Sequence, residues 1–130
     1  MRKILSSTGV AAGAAALLMT ATGTATAAPV SWSMPGGQGS TYGSVQFNNR
    51  SVGITGEVQS HISGCIQTTF QTYPGDGFET RTTCDYSTRG FNFTMSTDFP
   101  GGASWVQVTL VHINDNGTDE WLGARTMDRP

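Results

Sequence analysis

Residues 65–84 read CIQTTFQTYPGDGFETRTTC, and this stretch decides the fold. Two runs rich in threonine flank a Pro74-Gly75-Asp76-Gly77 cluster. Threonine and the aromatic residues favour strands because a β-branched or ring side chain packs well on a pleated surface. Alternation at period two puts Ile66, Thr68, Phe70 and Thr72 on one face of the first run, and Phe78, Thr80, Thr82 and Cys84 on one face of the second. The Pro-Gly-Asp-Gly cluster supplies turn chemistry, so the whole reads as a β-hairpin with an exposed tip. If Tyr73 pairs with Phe78, Cys84 falls opposite Gln67 and Cys65 lies one diagonal step away. A bridge between the two cysteines then requires a bulge or a shift of register.

The same period continues on both sides of the hairpin. Upstream, Val30, Trp32 and Met34 alternate, a Pro35-Gly36-Gly37-Gln38-Gly39-Ser40 linker interrupts, and Val45 and Phe47 resume. Asn48-Asn49-Arg50 turns the chain, after which Val52, Ile54 and Val58 share a face, with Gly56 between the last two. Downstream, Phe91, Phe93 and Met95 mark a strand that ends before the break at Phe99-Pro100-Gly101-Gly102. The run Trp105 to Ile113 is nearly continuous in apolar residues, which predicts a central strand buried on both faces. Trp121, Gly123, Arg125 and Met127 form one face of a last strand, with Leu122, Ala124 and Thr126 on the other. No window after the leader has apolar residues at helical spacing. Seven or eight short strands in roughly 100 residues predict an all-β domain, an antiparallel β-sandwich of immunoglobulin-like or jelly-roll topology with one disulfide. A small β-barrel or a β/γ-crystallin-like domain is the alternative, because alternation alone does not distinguish open sheets from closed ones.

The first 27 residues read differently. Met1-Arg2-Lys3 is basic, Val10 to Met19 is apolar, and Ala25-Thr26-Ala27 is a small-residue site, the organisation of a secretory signal peptide. The apolar run falls short of the ~20 residues a bilayer span needs. Residues 1–27 are therefore expected to be removed, leaving 28–130 as a single secreted, extracellular domain with no membrane span. Without Arg2 and Lys3 the seven basic residues fall to five, all arginine, against nine acidic ones, and the formal charge moves from −2 to −4. That balance excludes nucleic acid as the expected partner and offers little steering of any charged ligand. Cys65 and Cys84 are the only cysteines, and an even count behind an export signal predicts a disulfide. Closing a loop of roughly 20 residues stabilises the fold by about 3 kcal/mol in the chain-entropy model.

The segment VHINDNGTDEW, residues 111–121, packs oxygen-bearing side chains between two apolar runs. Asn114, Asp115, Asn116 and Asp119 make it a candidate calcium site, since calcium takes six to eight hard oxygen ligands. Aligning Gly117 with the invariant glycine of an EF-hand loop puts His112 at the first ligand position and Gly123 where a bidentate glutamate is required. The loop is more similar to that of β/γ-crystallin domains, with Asn114-Asp115-Asn116-Gly117-Thr118 as its first five positions. Asp119 stands where those loops usually carry serine, and Asn48-Asn49-Arg50-Ser51-Val52 lacks the hydroxyl a second copy would need. The competing expectation is an Asn116-Gly117 turn at positive φ joining two strands, polar because tips face water.

Catalytic chemistry has little to stand on. His61 and His112 are the only histidines; His112 has Asp115 and Asp119 nearby in sequence, and no serine sits in a Gly-x-Ser-x-Gly elbow. Trp32, Trp105, Trp121, Tyr42, Tyr73 and Tyr86 can stack on sugar rings where several are coplanar and exposed, although a domain this small needs at least one tryptophan in its core. The Tyr73-Pro74-Gly75-Asp76 tip can present a rigid loop to a protease cleft. Asn49, Asn92 and Asn116 head glycosylation sequons.

The leader ending Ala25-Thr26-Ala27-Ala28-Pro29, the segment GSVQFNNRSVGITG at 43–56 and RGFNFTM at 89–95 together resemble the small secreted proteins of actinobacteria, chiefly streptomycetes. The resemblance implies a fold and a compartment, no catalytic residue, and no eukaryotic-type glycan at the sequons. The expected function is accordingly a non-enzymatic binding or structural module at the cell envelope or outside the cell, for an extracellular protein or glycan. A calcium-stabilised or toxin-like domain, a protease inhibitor and a small hydrolase are the alternatives.

Overall fold

The computed structural model describes residues 28–130, so the leader expected at 1–27 lies outside the described residues. The described residues form eight strands: β1 (Val30–Met34), β2 (Gly39–Phe47), β3 (Ser51–Ser60), β4 (Cys65–Tyr73), β5 (Phe78–Cys84), β6 (Thr88–Ser96), β7 (Trp105–Ile113) and β8 (Asp119–Asp128). They form two antiparallel four-stranded sheets, the first in the order β1-β2-β3-β6 and the second in the order β5-β4-β7-β8. The chain lays down β1 to β3 as a meander, crosses for the β4–β5 hairpin, returns for β6 and crosses again for β7 and β8. With β2, β3 and β6 as strands A, B and E, and β5, β4, β7 and β8 as C′, C, F and G, this is immunoglobulin-like connectivity preceded by one extra strand. The sheets remain open, so the barrel alternative is not realised.

Period two explains the core. Val45, Val52, Ile54, Val58, Ile66, Phe70, Val106 and Val108 are fully buried between the sheets. Trp32, Gly43, Gly56 and Phe91 stand side by side in one row across the four strands of the first sheet. The two central glycines leave room for the rings at either end to lean inward over them. Trp32 and Phe91 stack with centroids 6.3 Å apart, and Phe70 of the second sheet meets both edge-on, at 5.6 and 5.3 Å. The Trp32 indole N–H donates to Thr41 Oγ1 at 3.3 Å, and that hydroxyl donates to the Glu57 carbonyl at 2.9 Å, so the buried ring is not left with an orphan donor.

Three expectations are corrected. The β4–β5 register pairs Gln71, not Tyr73, with Phe78, which sets Cys65 directly opposite Cys84 without a bulge. The cause is a wider turn: the Thr72 N–H donates to the Gly77 carbonyl at 3.2 Å, and the connection includes a cis Tyr73–Pro74 peptide. The disulfide forms with its Cα atoms 4.0 Å apart. Strand β7 is central in its sheet but buried on one face only, with Val106, Val108 and Leu110 inward and Trp105, Gln107, Thr109 and Val111 half-exposed. Among the described residues no further layer covers its outer side. In β8 the pairing shifts between Leu110 and Val111, whose partners are Gly123 and Trp121, so Leu122 is an extra residue. This bulge places Leu122 against the core and turns Trp121 outward, away from the face it was expected to share with Met127.

Candidate functional site

Once the inward positions are assigned, the outer face of the second sheet follows by alternation. It carries Gln67, Thr69, Gln71 and Tyr73 from β4, Phe78, Thr80 and Thr82 from β5, Trp105, Gln107, Thr109 and Val111 from β7, and Trp121, Ala124 and Thr126 from β8. Tyr73, Phe78 and Trp121 are 54%, 62% and 67% exposed, which is unusual for side chains this apolar. Tyr73 lies flat on Trp105, with centroids 5.1 Å apart and planes 12° from parallel. Phe78 closes the same end of the sheet, and Trp121 stands at the other, opposite Val111. Six residue steps along β7 take Trp105 to Val111, on the order of 20 Å along an extended strand.

Between these aromatic ends the face is amide and hydroxyl. Gln67 Nε2 donates to Thr82 Oγ1 at 3.0 Å, while Thr69, Thr80 and Thr109 form a row across three strands. Its charged members are Asp128, in the row of Tyr73 and Trp105, and Asp119, opposite Ile113, both acidic and both at the ends. The middle of the face carries no ionised group. Of the aromatics singled out in the sequence, Trp32 is core, Tyr42 lies on the outer face of the first sheet, and Tyr86 is exposed on the β5–β6 turn at φ 61°. Phe78 was legible as a member of the outward set of β5 but not as part of an aromatic end.

Asn114, Asp115, Asn116 and Asp119 come together as a hairpin loop. The Gly117 N–H donates to the Asn114 carbonyl at 3.0 Å, and the Asn114 N–H to the Thr118 carbonyl at 3.1 Å. Asn116 Oδ1 accepts from the Thr118 N–H at 3.0 Å and from its hydroxyl at 2.6 Å. Gly117 sits at φ 84°, whereas Asn116 keeps negative φ, so the positive-φ position is the glycine alone. Asp119 is already in β8 and Asp115 stands at the exposed tip. Among the described residues no three His, Cys, Asp or Glu side chains gather as a metal-binding group.

His112 is half-buried at one end of the sandwich, and its Nδ1 lies 3.4 Å from Glu120 Oε1, so its carboxylate neighbour is Glu120 rather than Asp115 or Asp119. The other histidine has a contact that the sequence concealed: His61 Nε2 lies 3.1 Å from Ser40 Oγ. Ser40 is completely covered and also donates to Gln59 Oε1 at 3.2 Å, so its hydroxyl faces no open cleft. In the Pro74-Gly75-Asp76 tip, Gly75 and Asp76 are exposed and Pro74 is half-buried. Gly75 is at φ 114° beside Phe99, and Gly77 backs onto Thr72 and Met95. Asn92 points outward from β6 and lies 3.3 Å from Thr55 Oγ1.

No protein-family model matches this chain, and neither a curated protein nor a solved structure does.

Proposed function

We propose that this chain is a non-enzymatic binding domain acting outside the cytoplasm, and that it holds a neutral polysaccharide on the outer face of the β5-β4-β7-β8 sheet. The supporting observation is the pair of exposed aromatic ends, Tyr73–Trp105 with Phe78 and then Trp121, separated by an uncharged platform of glutamines and threonines. Ring faces stack on the C–H faces of pyranoses, and amides and hydroxyls exchange hydrogen bonds with sugar hydroxyls. With no cation in the middle of the face and an acid at each end, an anionic polymer is disfavoured. The Cys65–Cys84 bridge fits an oxidising compartment, and a leader cleaved after Ala27 belongs to the same proposal.

The test is native gel electrophoresis through gels containing mixed-linkage β-glucan, xylan or galactomannan, with alginate as the anionic control. Retardation by at least one neutral polymer and not by alginate is expected. Trp121→Ala and Tyr73→Ala should each weaken retention about tenfold or more, equivalent to at least ~1.4 kcal/mol. Trp121→Ala should leave the unfolding temperature unchanged, and Tyr73→Ala, which gives up the stack on Trp105, should lower it by no more than that lost pair of about 0.5–1.5 kcal/mol. Free migration of the native protein through all three neutral polymers rejects the proposal.

A further inference from the structure

The two sheets do not close at the edge where β1 faces β8, and the gap there is a pocket of about 310 Å³. This is the lower end of the ~300–1,000 Å³ typical of small-molecule sites. Met34, Leu110 and Leu122 give it an apolar lining. One wall is the bare backbone of Gly36 and Gly37, whose N–H groups make no hydrogen bond among the described residues. Gly37 has no neighbour within 4 Å of where a Cβ would stand, so that wall faces open space.

Among the described residues, Arg125 is the only charged one lining this pocket. In the β8 register it pairs with Val108, a fully buried position, so it occupies an inward slot that a core would fill with an apolar side chain. Its guanidinium donates to the Ala124 carbonyl at 2.9 Å, and among the described residues it forms no ion pair. Most of its donors are therefore uncommitted. The nearby carboxylate, Glu120, is turned elsewhere, with Oε1 3.4 Å from His112 Nδ1 and Oε2 accepting from Gln38 Nε2 at 3.2 Å. A cationic fork, unengaged backbone amides and an apolar floor are the complement of one ligand class.

We propose that this pocket binds a small apolar carboxylate, its carboxyl group on Arg125 and the Gly36–Gly37 amides and its hydrocarbon tail on Leu110, Leu122 and Met34. The site lies at the edge between the sheets, away from the outer face assigned to polysaccharide, and it stands or falls independently of that assignment. The bland alternative is that Arg125 merely guards an edge strand against pairing with another chain, a common use of an inward-pointing charge.

The probe is sodium octanoate, titrated into the 15N-labelled full chain, with 1-octanol and octyltrimethylammonium as neutral and cationic counterparts of equal tail length. We expect octanoate to shift the amide signals of Gly36, Gly37, Leu122 and Gly123 with a Kd at or below about 1 mM. The alcohol should bind about tenfold more weakly or worse, because it lacks the charge-assisted hydrogen bonds, and the ammonium compound more weakly still. Arg125→Gln should reduce octanoate to the affinity of the alcohol, and Arg125→Lys, which keeps the charge but loses the planar fork, should fall between. Arg125 is exposed, so both variants are expected to retain the native spectrum. No shift at these amides up to several times 1 mM, shifts confined to another surface, or equal octanoate binding by Arg125→Gln and the native chain would each overturn the proposal. A variant that aggregates while binding octanoate normally identifies Arg125 as the edge guard.

Discussion

Gly43 and Gly56 carry no chemistry, yet they shape the core. A Cβ on Gly43 would come within 2.5 Å of the Trp32 ring, and one on Gly56 within 2.1 Å of the Tyr42 carbonyl oxygen, a backbone atom that cannot swing aside. Gly56→Ala should therefore destabilise the domain by at least ~2 kcal/mol, outweighing the ~0.4–1 kcal/mol normally gained by stiffening the unfolded chain, and thermal unfolding will measure it. The opposite sign is expected at Thr68. Its hydroxyl is fully buried and has no hydrogen-bond partner among the described residues, a state that costs about 1–3 kcal/mol. Thr68→Val keeps the shape and removes the orphan, so it should stabilise by about 1 kcal/mol and raise the midpoint by roughly 4–8 °C. The alternation that grouped Thr68 with Ile66 and Phe70 was readable in the sequence. That its hydroxyl would go unpaired was not, because the strand facing it comes from elsewhere in the chain.

Among the elements, the two hairpins show where local pattern suffices and where it misleads. The β7–β8 loop is built by short-range rules: an Asn-Asp-Asn-Gly turn, a glycine at φ 84°, and Asn116 satisfying Thr118. Asn116 Oδ1 is occupied within the loop, and binding calcium through it would break two hydrogen bonds. Unfolding temperatures in excess calcium and in chelator should agree within about 1 °C, since an ion that bound only the native state at a hundred times its Kd would add ~2.7 kcal/mol. A rise of several degrees, removed by Asp115→Ala, would establish the calcium reading. The β4–β5 hairpin was harder to register. Its ends were legible, but the residues taken up by the Tyr73–Gly77 turn were not, and a miscount there shifted every predicted cross-strand pair, including the cysteines. The Leu122 bulge is a similar case. Strict alternation placed Trp121 with Met127, and one inserted residue moved it to the opposite face.

For the whole molecule, the sparse charge has a measurable consequence. A formal charge of −2 on the full chain, and an outer sheet face whose acids sit only at its ends, leave little for salt to screen. Retention on a neutral polysaccharide should change less than about twofold between low salt and roughly 1 M, whereas octanoate held by Arg125 should weaken over the same range. The contrast distinguishes the two sites in a single preparation. Neither site could be located by composition. The outer face proposed to hold polysaccharide draws on residues from four strands, and the pocket needs a gap between two edges whose strands are far apart in the chain.

The sequence by itself determined the order of the strands, where the chain turns between them, the all-β class and the pairing partner of each cysteine, because these depend on period two, on clusters of turn residues and on a count of two. Tertiary structure decided which face of each strand met the core, how the sheets were ordered, and which aromatics were left in solvent. The physical reason is that a strand's alternation defines two faces without saying which will be covered. That choice belongs to the partner sheet, and one bulged residue, Leu122, is enough to reverse it.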